Sequence, residues 1–332
     1  MFSKIYEILK KEDNRSKSSI NLVASENLAS QDVLDFCSIS NFSNKYAEGI
    51  PGKRFYAGCE YYDELERLVQ NECCKLFDAE YANVQLHSGT QANQAALMAL
   101  MKPGDKLLSM DFSAGGHLSH GHKLSLISQL YNVYMYNVDR KTEVLDYDEV
   151  LNIAKKVAPK VIIAGASSYS RLIDYKSMRQ IADEVNAYLL ADIAHIAGLI
   201  ASRVIPGPVK YADVVTFTTH KTLRGVRGGV ILCKEKFTDE INRSVMPGVQ
   251  GGPHMNMVVG KAATFIAAST EEFKSYSENV VKNANIMAKE FVTLGCYVVS
   301  GGTDNHLFVV DTVRSFGKTG LECEKILESK DI

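Results

Sequence analysis

Asp213-Val214-Val215-Thr216-Phe217-Thr218-Thr219-His220-Lys221-Thr222-Leu223-Arg224-Gly225 reads as an apolar strand running into a lysine-bearing turn. Hydroxyl residues lead from the strand to His220-Lys221, and a glycine-rich tail follows through Gly228-Gly229. A lysine just beyond such a strand is not placed for surface solvation. It reads as an amine held for Schiff-base chemistry. Pyridoxal phosphate is then the expected cofactor, with the protein supplying orientation and electrostatics.

Similar strands recur on either side. Val161-Ile162-Ile163-Ala164, Tyr188-Leu189-Leu190-Ala191 and Val230-Ile231-Leu232 are continuous apolar runs, and a helical pattern spans Met178 to Val185. Val84-Gln85-Leu86 is a shorter strand expectation. It follows a helix expected over Asp63 to Phe77, with Asp63 and Glu66 spaced as a capping box. Unbroken apolar strands alternating with helices predict an α/β fold whose mostly parallel sheet is covered on both faces. Ligands of such sheets bind beyond the carboxyl ends of the strands. Ser88-Gly89-Thr90, Ser167, Asp192 and His220-Lys221 all fall there.

The pattern changes after about Lys274. A helix is expected from Ser277 to Leu294, then strands at Tyr297-Val298-Val299 and Leu307-Phe308-Val309-Val310. The expected organisation is an N-terminal arm or helix over 1–20, a large domain over 21–275, and the start of a smaller α+β domain over 276–332. Met1 to Glu12 predicts a short amphipathic helix rather than an export signal.

Composition narrows the function classes. The chain has 332 residues, 46% apolar and 23% charged, with a net charge of −2. That balance offers no field for nucleic acid or an anionic membrane. No apolar run approaches membrane-spanning length. The seven cysteines show no CxxC or Cys/His spacing, so reduced thiols in a cytoplasmic setting and no bound metal are expected.

The other candidate residues each have two readings. A carboxylate at a strand end, Asp192, can hold a pyridinium nitrogen protonated, and His195 can face the same ring. Alternatively Asp192 caps a helix and His195 is a core histidine; Lys221 downstream tips the balance to the cofactor. Ser88-Gly89-Thr90 before an alanine-rich helix suits a phosphate cradle or an ordinary cap. Gly248 to Pro253 reads from composition as a tight turn. His117, His120 and His122 lack a carboxylate or thiol nearby in sequence. A metal site is therefore the weaker reading, and an aromatic plate on a flat cofactor the better one. Tyr46-Ala47-Glu48-Gly49 and Arg54-Phe55-Tyr56-Ala57-Gly58 form either a functional loop or an exposed polar one.

Taken in order, these segments resemble the serine hydroxymethyltransferase family of fold-type I pyridoxal-phosphate enzymes. The resemblance runs from Ile20 to the end of the chain. Its motifs are LVASEN from Leu22, NKYAEGIPGKRFYAGCEY from Asn44, HSGTQAN from His87, and Gly115 to Gly121. IAGASSYS from Ile163, ADIAHIAG from Ala191, Thr218 to Gly229, Pro247 to Pro253, and SGGTDNHL from Ser300 complete the series.

The resemblance implies a large domain built on a seven-stranded, mostly parallel sheet. It also implies Lys221 as the Schiff-base lysine, Asp192 at the pyridine nitrogen and His117 stacked on the ring. Ser167 and His195 would contact the cofactor or its phenolic oxygen, and Ser88, Gly89, Thr90 and His220 would hold the phosphate. Tyr46, Gly251 and Gly252 would reach in from a second subunit of a homodimer. Glu48, with Tyr56 beside it, would handle protons, with His220 counted among the catalytic residues. Ser25, Leu118 and Arg227 would contact substrate. The implied reaction moves the serine hydroxymethyl carbon to tetrahydrofolate and leaves glycine. The alternatives are a non-catalytic pyridoxal-phosphate-binding or pairing protein, or a folate-independent aldolase.

Some positions depart from the family pattern. Thr90 replaces a usual serine, Phe55 a tyrosine, and Val226 a proline, the last expected to loosen the loop after Lys221. The family continues into a C-terminal domain with an arginine for the substrate carboxylate, whereas no arginine follows Arg314 here. Low turnover is therefore expected of these 332 residues alone.

Overall fold

The computed structural model describes residues 2–38 and 41–332. Its centre is a seven-stranded sheet. The strands are β1 (Tyr81–Asn83), β2 (Lys106–Met110), β3 (Asn132–Tyr136), β4 (Val161–Gly165), β5 (Tyr188–Asp192), β6 (Val214–Thr218) and β7 (Gly229–Cys233). Their spatial order is β1-β7-β6-β5-β4-β2-β3, and only β7 runs against the rest. The mostly parallel α/β sheet expected from the apolar runs is present.

Alternation along the strands makes two cores. Ile162, Ala164, Leu189, Ala191, Val215 and Leu232 pack into one, while Val161, Ile163, Leu190, Val214 and Ile231 pack into the other. Period-2 geometry puts successive side chains on opposite faces, so a strand buried on both sides must be apolar throughout. Each fully buried aliphatic side chain contributes about 1.5–3 kcal/mol.

Several boundaries differ from expectation. Helix α1 (Phe2–Ser18) runs past Glu12, with Glu7–Lys11 and Glu12–Arg15 pairs on its surface. It buries no residue, and Phe2, Ile5, Ile8 and Leu9 are exposed. The expected start, Met1, lies outside the described residues.

Helix α2 (Glu60–Phe77) starts before Asp63, at the N-cap Cys59. Asp63 and Glu66 do not form a capping box. Asp63 accepts from the Gly52 N–H and from Arg54 Nε, and Glu66 accepts from Arg54 Nη2 at 2.6 Å. Val84-Gln85-Leu86 is buried but forms no strand. The strand lies just before it at β1, and the Val84 and Leu86 carbonyls instead accept from Lys261 Nζ.

Helix α3 (Gly89–Leu100) follows, capped by Ser88. Helix α4 (Tyr175–Glu184) matches the expected pattern before β5. Helix α5 (Met255–Ala268) precedes α6 (Glu271–Thr293), which begins before the expected Ser277 because Thr270 caps it by accepting from the Phe273 N–H.

The two strands expected after α6 reduce to a single bridge, Val298 to Val310. Ser300 takes a left-handed backbone, with φ of 57°. Its N–H donates to Glu143 and its carbonyl accepts from Arg171, so the segment turns instead of extending. Among the described residues, no helix is long and apolar enough to cross a membrane.

Candidate active site

A cavity of about 240 Å³ opens beyond the carboxyl ends of β4, β5 and β6, beside the start of α3. Ser88, Gly89, Thr90, His117, Ser167, Asp192, His195, His220, Lys221 and Arg227 line it, together with Asn93 and Thr218. Residues from six separate sequence segments thus meet at one strand-end site.

Asp192 closes β5 at the cavity floor. Its carboxylate accepts from Asn93 Nδ2 at 2.8 Å, His120 Nε2 at 2.8 Å and the Ala194 N–H at 2.9 Å. Burial alone would raise its pKa. The donors, led by His120, overcome that and hold the carboxyl well below the usual range. It is therefore a buried anion facing the cavity, not merely a cap.

His120 Nδ1 accepts from the His117 N–H at 3.4 Å while Nε2 donates to Asp192, so both ring nitrogens are engaged. Asn93 is fixed in turn, since its Oδ1 accepts from Thr216 Oγ1 at 2.6 Å. Close backbone approach requires Gly165 on the neighbouring strand, where an added Cβ would lie 2.4 Å from the Asp192 carbonyl.

Lys221 sits half-buried at the far end of the β6 turn. Burial pushes its ammonium below the ordinary value; Asp192 opposes this and Arg227 adds to it. Its carbonyl accepts from Asn27 Nδ2 at 3.0 Å, which brings the Leu22–Asn27 segment to the site. Thr222 Oγ1 donates to the His195 carbonyl at 2.7 Å and ties the lysine turn to the segment after β5. Val226 does not leave that loop untethered. It is buried, and its carbonyl accepts from Thr219 Oγ1.

Ser88 Oγ accepts from the Gln91 N–H and opens α3, so Gly89 and Thr90 lie in the first turn, where backbone N–H groups lack helical partners. A Cβ on Gly89 would come within 2.6 Å of Thr218 Cγ2. His220 Nδ1 is buried without a hydrogen-bond partner.

Burial pushes His195 down to about 3, helped by Lys221 and His306, and it pushes His220 and His306 each down to about 4. The unfolded chain, with imidazoles near 6.5, binds more protons across that window. The stability from these neutral rings is fully present above about pH 6.5 and is lost as pH falls towards their folded values. Thermal unfolding followed by circular dichroism should show a lower Tm at about pH 5 than at about pH 7. His306→Gln should flatten that dependence, and a wild-type Tm that rises on acidification would contradict it.

The remaining predicted residues lie elsewhere. Tyr46, Glu48, Tyr56, Gly251 and Gly252 form a separate cluster and do not line the cavity. The Tyr46 and Tyr56 rings are 5.7 Å apart. A Cβ on Gly251 would lie 3.3 Å from Glu48 Oε1, and one on Gly252 3.4 Å from Tyr46 Cδ1. Gly248 to Pro253 is thus more than a turn, because Gly251 and Gly252 pack against Glu48. Tyr46 and Tyr56 are exposed, as are Leu118 and Phe55, while Ser25 is half-buried.

Arg54 corrects the exposed-loop reading of its segment. Its side chain is 3% exposed, and it donates to the carbonyls of Ala47 and Gly49, on either side of Glu48.

The histidine cluster corrects another premise. Folding brings the Asp192 carboxylate to His117 and His120, and their ligand atoms lie within 4.8 Å of one another. They are already hydrogen-bonded, His120 to Asp192 and His117 to Ser119.

Sequence reading passed over Asn93, His306 and Lys261 as functional positions, and weighed His120 only within the histidine cluster. Asn93 had a signal, since it stands four residues after Gly89 and so on the same helix face. His306 lay within the SGGTDNHL motif, but its contact with His195 at 3.5 Å spans 111 residues, which no local pattern shows.

A mostly parallel α/β sheet with a half-buried lysine, a buried carboxylate and a helix start gathered at its strand ends defines a fold-type I α/β enzyme. The family model described as serine hydroxymethyltransferase matches residues 2–332. The chain belongs to the serine hydroxymethyltransferase family and is a transferase. It is 53% identical to the serine hydroxymethyltransferase of Coprothermobacter proteolyticus, over 97% of this chain and 77% of that protein. It is 51% identical to that of Mycoplasma capricolum subsp. capricolum, over 98% of this chain and 79% of the relative. These relatives do not favour the non-catalytic or folate-independent alternatives.

Proposed function

We propose that this chain transfers the hydroxymethyl carbon of serine reversibly to tetrahydrofolate, giving glycine and methylenetetrahydrofolate, with pyridoxal phosphate held at the strand-end cavity of a cytoplasmic homodimer. The observation that carries the reading is the convergence of Lys221, Asp192 and Ser88–Thr90 on one cavity. The residues fit the cofactor. The buried anion Asp192 suits a protonated ring nitrogen, the unpartnered His220 Nδ1 and the start of α3 suit phosphate oxygens, and Gly89 leaves room that a Cβ would fill.

Bound there, pyridoxal phosphate supplies an electron sink for the charge left on Cα when the serine Cα–Cβ bond breaks. Lys221, with its depressed ammonium, is the point of attachment. His117 would flank the ring, and Ser167 and His195 would reach its phenolic oxygen. His195, kept neutral by burial, can hold a hydrogen bond there without adding charge.

Ser25, Leu118 and Arg227 contact the amino acid. Tyr46, Gly251 and Gly252 come from a second copy of the chain. Glu48 moves protons beside Tyr56. The rigid backbone around Glu48, clamped by Arg54, supports that role.

Adding pyridoxal phosphate to the purified chain should produce the absorbance band of a lysine-linked cofactor. Borohydride reduction and peptide mapping should label Lys221, and Lys221→Ala should lose both signals. A band that persists unchanged in Lys221→Ala would remove the lysine from its assigned role.

A further inference from the structure

Lys261 lies in the middle of the apolar helix α5, 1% exposed. A lysine there costs desolvation, and burial pushes its ammonium down to about 7, with Cys73 and Glu66 opposing. Its surroundings explain how it is tolerated. Nζ donates to the carbonyls of Val84 at 2.6 Å, Leu86 at 3.0 Å and Gly229 at 3.0 Å. Three acceptors match the three N–H groups of the protonated amine one for one.

These carbonyls belong to the two chain segments that meet below the start of α3. Leu86 is two residues before Ser88, and its carbonyl also accepts from the Gly229 N–H at 3.0 Å. Gly228 and Gly229 pass closely between the ammonium and the helix start. A Cβ on Gly228 would lie 2.5 Å from Lys261 Cε, and one on Gly229 2.3 Å from the Ser88 carbonyl. A single buried amine thus ties together the two backbone segments that lead to Ser88, Gly89 and Thr90.

We infer that Lys261 is a positioning residue for the anion cradle at Ser88–Thr90, fixing its backbone so that the site discriminates in favour of a phosphorylated ligand. This rests on the reading of that cradle as the phosphate site. It goes beyond it by assigning the geometry to a residue that does not line the cavity.

The test compares equilibrium binding of pyridoxal phosphate and of unphosphorylated pyridoxal, by absorbance titration, in wild type, Lys261→Met and Gly228→Ala. Methionine keeps an unbranched side chain one heavy atom shorter and removes all three donors. An alanine at 228 displaces the ammonium without removing it. Lys261→Met should weaken pyridoxal phosphate binding about tenfold or more, with pyridoxal binding changed less than about twofold. Gly228→Ala should shift the same ratio in the same direction by a smaller factor.

A core residue of purely structural importance would lower Tm and weaken both ligands alike, and that result would overturn the inference. So would an unchanged preference for the phosphorylated ligand in both variants. If Lys261→Met does not fold, the ratio in Gly228→Ala decides. The cradle reading fails separately, if wild type itself binds pyridoxal as tightly as pyridoxal phosphate.

Discussion

Asp192→Asn should lower kcat/KM for serine-to-folate transfer by about 10³-fold, equivalent to about 4 kcal/mol of transition-state stabilisation. The side chain is a buried anion surrounded by donors from His120, Asn93 and Ala194. Asparagine keeps the volume and removes the charge. One of its two ends presents N–H groups where the native carboxylate only accepts, so either the Ala194 N–H at the Oδ1 position or the His120 and Asn93 donors at the Oδ2 position face another donor. More important for turnover, the negative charge that favours a protonated ring nitrogen is gone, and the ring's capacity to hold electrons falls with it. Initial rates give the fold-change, and thermal unfolding separates it from loss of structure. A variant within tenfold of wild type would mean that Asp192 does not face the ring nitrogen.

The largest loss of stability is expected from Glu66→Ala. Glu66 is fully buried, and it accepts from Arg54 Nη2 at 2.6 Å and from Gln85 Nε2 at 2.8 Å. Arg54 is itself buried, and its remaining donors go to Asp63, Ala47 and Gly49. Alanine leaves a buried guanidinium facing a cavity with one counter-charge fewer. Breaking one side of a buried ion pair costs about 3–5 kcal/mol. At about 2 °C per kcal/mol for a large chain, Tm should fall by about 6–10 °C. Glu66→Gln should cost less, because an amide oxygen can still accept from Arg54. A Glu66→Ala protein with native Tm would mean that water enters and replaces the carboxylate. Because Arg54 holds the backbone on both sides of Glu48, activity should fall along with stability.

The sheet was legible because burial on both faces leaves an unbroken apolar signature. Val161–Ala164, Tyr188–Ala191, Val214–Thr216 and Val230–Ile231 sit in strands as expected. Short segments were less legible, since tertiary hydrogen bonds outbid local pattern there. Val84–Leu86 gives its carbonyls to Lys261, and Val299–Ser300 is turned aside by Arg171 and Glu143. Asp63 and Glu66 carry the spacing of a cap, yet a guanidinium from an earlier short hairpin claims both. No local rule anticipates a partner that arrives from nine or twelve residues away through a turn.

The candidate site divides in the same way. Residue order and strand-end placement were enough to nominate Lys221, Asp192, Ser167 and Ser88–Thr90, because in a parallel sheet chemistry collects at one edge, and the spacing of its histidines nominated His117. Sequence also contained the family, through motifs spread in unbroken order along the chain. Only the tertiary structure could decide what surrounds those residues. Asp192 is an anion because His120 and Asn93, 72 and 99 residues away in the chain, converge on it. His195 stays neutral because Lys221 and His306 crowd a ring already stripped of water. Residue type and order follow from the chain alone, whereas charge state depends on burial and on neighbours that only folding assembles.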